Sequence, residues 1–144
     1  MNLAFSPSEP SHLAQKRWVL VVDDDEFQHK IVNMVLGQAH YQLAYAVSGE
    51  DAIDFLQHTP VDLVIMDVQM PGLGGLGATR QLKAMPHLAH VPILMTSGEG
   101  DDLILAQCLQ AGAADFVFKP FDRTTLPAKV ALLCGLASDR KDGS

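Results

Sequence analysis

The sequence predicts an α/β protein of the (βα)5 class, with a doubly wound five-stranded parallel sheet. Five short apolar runs of strand length alternate with five segments in which apolar residues recur at helical spacing. Strict alternation favours parallel strands with helices on both faces and right-handed crossovers. The 144 residues, of which 48% are hydrophobic, suit one domain of this kind. We expect that domain over residues 17–137, with a flexible tail at 1–16 and a polar tail or linker start at 138–144.

The five strands are expected where apolar runs of three to six residues are bounded by turn signals. The third run is apolar throughout, which is typical of a strand that is buried on both faces. The predicted strands are residues 18–22, 42–47, 63–66, 91–95 and 116–118.

The first helix is predicted from apolar residues at helical spacing, with Asp25 as its N-cap and Gly37 as its C-terminal cap. The residues expected to face the core are Phe27, Ile31, Met34 and Val35.

The remaining helices have their own start and stop signals. Ser48 is the expected N-cap of the second helix, and the third is expected over 76–85 despite Gly77. Asp101 is expected to cap a fourth helix over 103–111, which Gly112 closes. The fifth should be regular from Thr125 onward, because Pro127 is tolerated in a first turn.

Composition excludes several classes of function. The 17 acidic residues outnumber the 10 basic ones, and the basic residues form no stripe, which argues against direct nucleic-acid binding. No apolar stretch approaches the roughly 20 residues of a membrane span, and the first residues do not resemble a signal peptide. We expect a soluble, cytoplasmic protein in which Cys108 and Cys134 are reduced core thiols.

Polar residues that could bind a ligand or take part in a reaction follow four of the predicted strands. In a parallel sheet the carboxyl ends of the strands meet at one edge, where ligands bind near the point at which the strand order reverses. The side chains expected at this edge are three acids after the first strand, one acid after the third, two hydroxyls after the fourth and an amine after the fifth: Asp23, Asp24, Asp25, Asp67, Thr96, Ser97 and Lys119.

Asp23, Asp24 and Asp67 would repel one another unless a cation offset their charge, and a site rich in carboxylate oxygens is suited to Mg²⁺. The free oxygen of Asp67 could then attack a phosphoryl donor and form an acyl phosphate. Ser97 and Lys119 would bind the phosphoryl oxygens. Asp25 is interpreted as an N-cap rather than a metal ligand, and Thr96 as a strand residue.

Four ordered motifs make the chain resemble the receiver domain of two-component response regulators, including the chemotaxis regulators. They are VLVVDDD at 19–25, DLVIMDVQMP at 62–71, VPILMTS at 91–97 and AGAADFVFKPF at 111–121. Ser97 lies 30 residues after Asp67, and Lys119 lies 22 residues after Ser97, which are typical receiver separations. The resemblance covers the chain from Arg17 to about Leu136, and it implies a flavodoxin-like fold with strand order 2-1-3-4-5.

The resemblance also implies roles for individual residues. Asp67 would accept phosphate from a phosphohistidine on a sensor histidine kinase or a histidine phosphotransfer protein. Asp24, Asp67 and the backbone carbonyl of Gln69 would bind Mg²⁺ directly, and Asp23 would act through water. Ser97 would be the switch hydroxyl and Lys119 the lysine of the pattern.

Three further implications concern switching and the lifetime of the phosphoryl group. Phe116 would be the aromatic residue that turns inward, and the peptide bond between Lys119 and Pro120 would be cis. Gln69 and Glu99 lie where the family tunes hydrolysis of the acyl phosphate. The domain would catalyse only its own phosphorylation and slow dephosphorylation, so it is not expected to be an enzyme.

The chain departs from the receiver pattern after Met70-Pro71, where many receivers carry an Asp-Gly pair. Here the sequence is Gly-Leu-Gly-Gly-Leu-Gly over residues 72–77, and Gly74 replaces the expected acid. We predict a more mobile loop with the chemistry retained.

Other interpretations fit less well. Gly72, Gly74 and Gly77 match a dinucleotide-binding fingerprint, but Pro71 interrupts the connection to the strand and the later acid is missing. A haloacid-dehalogenase-like, Mg²⁺-dependent phosphatase would share Asp23-x-Asp25 but would need a later acidic pair. A structural pseudo-receiver would require a damaged pocket.

His87 and His90 have nearly the spacing of a metal pair but lack a third ligand, so we interpret them as surface histidines. The sequence names neither the phosphodonor nor the output. A homodimer or an effector contact through the face of the fourth helix, fifth strand and fifth helix is a hypothesis. The Asp-Val-Gln-Met-Pro segment at 67–71 is similar to that of receivers in hybrid kinases, and this resemblance favours a phosphorelay.

Overall fold

The computed structural model describes residues 16–37, 39–98 and 102–135. Strands and helices alternate along this part of the chain as the sequence predicts. The elements are β1 (Arg17–Val22), α1 (Glu26–Leu36), β2 (Tyr41–Ala46), α2 (Gly49–His58), β3 (Leu63–Asp67), α3 (Gly74–Lys83), β4 (Ile93–Ser97), α4 (Asp102–Ala111), β5 (Asp115–Phe118) and α5 (Thr125–Leu133).

The five strands form one parallel sheet in the order β2-β1-β3-β4-β5. The predicted fold class and the 2-1-3-4-5 order are therefore confirmed. The chain leaves β1 toward β2 on one side and then crosses to β3 on the other side. This reversal places a crevice at the carboxyl ends of β1 and β3, where ligands of such sheets bind.

Alternate strand residues supply two apolar cores, one on each face of the sheet. Val19 and Val21 of β1 pack with side chains of α1 and α5. Leu20 and Val22 point to the opposite face and pack with side chains of α2, α3 and α4. Both faces are thus covered, which is why β3 and β4 are apolar almost throughout and fully buried.

The predicted helix ends mostly agree with the structure. Asp25 caps α1 by accepting a hydrogen bond from the backbone of Phe27, and Ser48 caps α2. Gly37 and Gly112 end α1 and α4 with positive φ angles, a conformation that favours glycine. The predicted Asp101 cap and the two predicted tails, apart from residue 16, lie outside the described residues.

The predicted core face of α1 was partly wrong. Phe27 and Met34 are 64% and 61% exposed, whereas His29 and Val32 are buried. The buried side of α1 is the side that packs against the sheet. It includes His29, which a search for apolar residues does not detect. Two large apolar side chains of α1 therefore face solvent.

Strand β4 begins two residues later than expected, at Ile93. Pro92 has no N–H group and cannot donate to a sheet ladder, although its carbonyl accepts a 3.0 Å hydrogen bond from the backbone of Val64.

The glycine-rich segment after Pro71 is less of a loop than predicted, because α3 already begins at Gly74. Gly72 and Gly74 have φ angles of 76° and 75°, so both use the conformational freedom of glycine. Gly75 and Gly77 are helical. The predicted mobility of this segment remains a prediction.

Both cysteines are buried and free. None of the helices in the described part of the chain is long and apolar enough to span a membrane.

Candidate functional site

The parallel register brings the predicted polar residues to one edge of the sheet. Asp67 ends β3 and pairs with Thr96 of β4, which places it one step from Ser97. Asp23 follows β1 directly. Lys119 follows β5, and its backbone N–H donates a 2.7 Å hydrogen bond to the carbonyl of Ser97. These residues are far apart in sequence and come together because the strands are parallel.

Three carboxylates form the centre of this site. One oxygen from each of Asp23, Asp24 and Asp67 lies within 4.8 Å of the other two. Asp23 and Asp67 are buried at 3% and 4% exposure, whereas Asp24 is exposed. Asp23 and Asp67 therefore form the buried base of the cluster, and Asp24 lies at its solvent-exposed mouth.

Lys119 supplies the positive charge of the site. Its ammonium nitrogen lies 2.8 Å from Asp23 Oδ2 and 3.3 Å from Asp67 Oδ1. One cation thus bridges two buried carboxylates. Burial alone would lower the pKa of Lys119, but the hydrogen bond to Asp23 and the charges of Asp67 and Asp23 raise it, so the side chain stays protonated.

Asp67 has a raised pKa of about 6. Burial is the largest cause and the neighbouring charge of Asp23 the second, while Lys119 and a hydrogen bond from the backbone N–H of Gln69 act in the opposite direction. The pocket thus places three carboxylates beside the ammonium group of Lys119, and a further cation would offset the formal negative charge that remains.

The backbone next to Asp67 is in contact with α3. The N–H of Gly75 donates a 3.1 Å hydrogen bond to the carbonyl of Val68, and a Cβ atom on Gly75 would overlap the carbonyl oxygen of Asp67. Only glycine allows this approach. Glu50 of α2 accepts a 3.1 Å hydrogen bond from the backbone of Leu73 just before α3.

The hydroxyl residues and the aromatic residue of the pattern are all buried. Ser97 and Thr96 are 0% and 1% exposed. Phe116 is 6% exposed and contacts the ring of Phe118 edge to face, with centroids 4.5 Å apart. Phe116, which was expected to turn inward after phosphorylation, is thus already buried in this structure.

Two residues that the sequence interpretation missed also contact the site or its strands. His29 Nε2 lies 2.8 Å from the backbone carbonyl of Asp23. Lys129 of α5 donates a 2.9 Å hydrogen bond to the carbonyl of Phe116 and pairs with Asp115. His29 lies six residues after Asp23 in the sequence, and no sequence pattern indicated that the two would be in contact.

Other predicted residues have plainer surroundings. The peptide bond between Lys119 and Pro120 is cis, as expected from the resemblance. Gln69 is exposed beside Asp67, and Glu99 lies outside the described residues. His87 contacts Gln57 at 3.1 Å, which fits the interpretation of a surface histidine.

The donor set fits Mg²⁺ on the grounds of its chemistry. Mg²⁺ prefers oxygen ligands and commonly uses one or two carboxylates with several waters. Asp24 at the open mouth and Asp67 at the base offer such carboxylates, and a cation would offset the formal negative charge of the three neighbouring acids.

Comparison with known proteins identifies the family. The response regulator receiver domain family matches residues 19–131, most of the chain. Among curated proteins, the CAI-1 autoinducer sensor kinase/phosphatase CqsS of Vibrio cholerae is 34% identical over 91% of this chain, and the response regulator PleD of Caulobacter vibrioides is 34% identical over 80% of it. The chain spans 19% and 25% of the lengths of these relatives.

Solved structures agree with this result. The receiver domain of a signal transduction histidine kinase from Syntrophus aciditrophicus superposes with a TM-score of 0.76 at 31% identity, over 83% of this chain and 90% of the other. The chemotaxis response regulator CheY4 of Vibrio cholerae also gives 0.76, at 27% identity, over 83% and 99%. The chain therefore belongs to the response regulator receiver domain family of two-component signalling.

Proposed function

We propose that Asp67 is the phosphoacceptor of this receiver domain, with Mg²⁺ bound by the acidic cluster and a phosphohistidine as donor. The main support for this proposal is the position of Asp67 beside Asp23 and Lys119 at the carboxyl edge of the sheet. Its carboxylate contacts the ammonium group of Lys119 and lies close to the carboxylates of Asp23 and Asp24. A sensor kinase or a histidine phosphotransfer protein would supply the phosphoryl group.

The proposed reaction needs few groups. A carboxylate oxygen of Asp67 attacks phosphorus, a P–O bond forms, and the P–N bond to the donor imidazole breaks. The imidazole nitrogen keeps the electron pair of that bond and takes a proton from the solvent. Lys119 binds an oxygen of the transferred group, and its contact with Asp67 at 3.3 Å puts its charge within reach.

Asp24, Asp67 and the backbone carbonyl of Gln69 would hold Mg²⁺, with Asp23 acting through water. The metal would supply positive charge that offsets the carboxylates and the incoming phosphoryl oxygens. We propose that the side chain of Gln69 controls the access of hydrolytic water, and its exposure two residues after Asp67 supports this role. We propose the same role for Glu99, from its place in the sequence.

Phosphorylation would add about −1.5 to −2 charges at Asp67. We expect the hydroxyl of Ser97 to turn toward the new oxygens and alter the packing between β4 and β5, which are paired at Ser97 and Phe118. Because Phe116 is already buried, the response would be a change in its packing rather than a large swing. Lys129 links the backbone of Phe116 to α5.

The face formed by α4, β5 and α5 is the proposed output surface, for a homodimer or an effector. All three elements present apolar side chains that are at least two-fifths exposed, which is the composition of a contact surface. They are Leu103 and Leu109 of α4, Phe118 of β5 and Leu132 of α5.

The central experiment is Mg²⁺-dependent labelling with radioactive acetyl phosphate. Wild type should acquire one acid-stable, base-labile phosphoryl group, and Asp67→Asn should acquire none. Asp54→Asn is the matched control, because it removes an exposed carboxylate of α2. Equal labelling of Asp67→Asn, or a label that maps to Asp23, would overturn the assignment. Label on Asp23 would favour a phosphatase-like nucleophile.

A further inference from the structure

Every polar group of Asp23, in its backbone and in its side chain, has a hydrogen-bond partner. Its N–H donates a 3.1 Å hydrogen bond to the carbonyl of Ala46 in β2. Its carboxylate accepts from the backbone of Asp25 at 2.9 Å and from Lys119 at 2.8 Å. Its carbonyl oxygen is 2.8 Å from His29 Nε2, which makes a buried side chain of α1 the partner of that carbonyl.

The proton on His29 can be placed from this contact. A carbonyl oxygen can only accept a hydrogen bond, so Nε2 must carry the hydrogen. His29 is buried, and its ring stacks on Tyr45 with centroids 4.9 Å apart and an angle of 28° between the planes. The stack packs one face of the imidazole, whereas the hydrogen bond to the carbonyl of Asp23 sets the direction of Nε2.

The contact between His29 and the carbonyl of Asp23 also constrains Asp24, the next residue in the chain. The peptide plane that contains the carbonyl of Asp23 also contains the N–H of Asp24, since the peptide bond is planar. A hydrogen bond to that carbonyl therefore fixes the orientation from which the side chain of Asp24 leaves the backbone. Asp24 is exposed, and no hydrogen bond of its own carboxylate is evident among the described residues.

We infer that His29 is a positioning residue of the acidic pocket, which directs the Asp23-Asp24 backbone so that both carboxylates face Asp67. The inference rests on the proposed Mg²⁺ site. A core histidine that served packing alone would need no directed Nε2–H, and its ring could be replaced by another aromatic ring. The two alternatives differ in what the hydrogen bond does for metal binding.

Three variants separate the hydrogen bond from the packing. His29→Phe keeps a ring on Tyr45 and removes the donor. His29→Gln loses the ring but can place an amide N–H near the position of Nε2. Tyr45→Leu removes the stacking partner and leaves the donor in place.

Isothermal titration with MgCl₂ is the first readout, with thermal unfolding in EDTA beside it. We expect His29→Phe to weaken Mg²⁺ binding by about tenfold or more, since loss of a group that orients a metal ligand has this size of effect. His29→Gln should restore most of the affinity. Tyr45→Leu should lower the unfolding temperature with little change in Mg²⁺ affinity.

The inference is overturned if His29→Phe binds Mg²⁺ as wild type does, or if affinity follows the unfolding temperature across all three variants. The wild-type protein supplies a test that needs no variant, because ¹H–¹⁵N spectra report the imidazole tautomer directly. A proton on Nε2 supports the hydrogen bond, and a neutral ring protonated on Nδ1 overturns it. Wild type that binds no Mg²⁺ would overturn the proposed function, whereas the tautomer result would still test the contact of His29.

Discussion

The ammonium group of Lys119 is closer to Asp23 than to Asp67, at 2.8 Å against 3.3 Å. The shorter contact is a hydrogen bond to the carboxylate that lies beside the proposed nucleophile. Asp23 therefore holds the lysine in the site while Asp67 remains available for chemistry. The charge of Lys119 should then also be available to the phosphoryl group that Asp67 accepts.

Lys119→Met should slow labelling of Asp67 by acetyl phosphate roughly a hundredfold, the usual cost of removing one group that stabilises developing negative charge. Mg²⁺ binding should persist, because the carboxylates remain. Initial rates at saturating Mg²⁺ measure the effect. Lys30→Met is the matched control, since it makes the same charge change on the exposed face of α1. Unchanged labelling of Lys119→Met would contradict the role of the ammonium group.

The raised pKa of Asp67 predicts a pH-dependent stability in the absence of metal. The pKa is about 6 in the folded protein and roughly 3.9 in an unfolded chain, so the folded state binds this proton more tightly. The contribution of the protonated carboxyl to stability is complete below the unfolded pKa and is lost as the pH rises through about 6.

Thermal unfolding of wild type and Asp67→Asn in EDTA between pH 5 and pH 8 isolates this contribution. The stability advantage of Asp67→Asn should grow as the pH rises through the folded pKa of about 6. Added Mg²⁺ should reduce the advantage, because the cation favours the carboxylate. A difference between the two proteins that is constant over this range would show that Asp67 titrates normally.

Gly75→Ala should displace the backbone at Asp67, because the added Cβ would overlap the carbonyl oxygen of that residue. Backbone cannot move aside as a flexible side chain can. We expect a loss of about 1–3 kcal/mol in the free energy of unfolding, the cost of strained backbone or overpacking, together with slower labelling.

Gly77→Ala is the control within the same helix. Its Cβ would meet the side chain of Leu73, with Cδ1 at 2.7 Å, and that flexible group can shift. Alanine also has a higher helix propensity than glycine, by about 1 kcal/mol. Urea unfolding and labelling rates should therefore be close to wild type for Gly77→Ala. Similar losses in both variants would show that the contact with Asp67 is unimportant.

Beryllofluoride, which mimics a phosphoryl group on a carboxylate, should shift amide resonances in β4, β5 and α5 as well as around Asp67. Phe116→Leu should confine these shifts to the pocket, because it removes the buried ring that contacts Phe118. Phe27→Leu, which makes the same change at a position of α1 that is 64% exposed, is the control. Shifts confined to the pocket in wild type would rule out the proposed output surface.

The outcome for particular elements shows what local patterns can predict. The ends of α1, α2 and α4 followed from Asp25, Ser48 and two glycines, because caps depend on residues next to them in the chain. The face that α1 buries did not follow, since it depends on the sheet against which the helix packs. His29 was missed for this reason: a buried polar residue breaks the apolar pattern that predicts burial.

The amino-acid sequence alone was enough to predict the alternation of strands and helices, the strand ends at which Asp23, Asp67, Ser97 and Lys119 lie, and the family to which they belong. These features depend on spacing along the chain, which can be read directly from the sequence. Folding in three dimensions decided that Lys119 pairs most closely with Asp23, that Phe116 is already buried and that His29 contacts the acidic turn. Such contacts depend on differences of a few tenths of an ångström in interatomic distances, and only the packing of the helices on the sheet sets these distances.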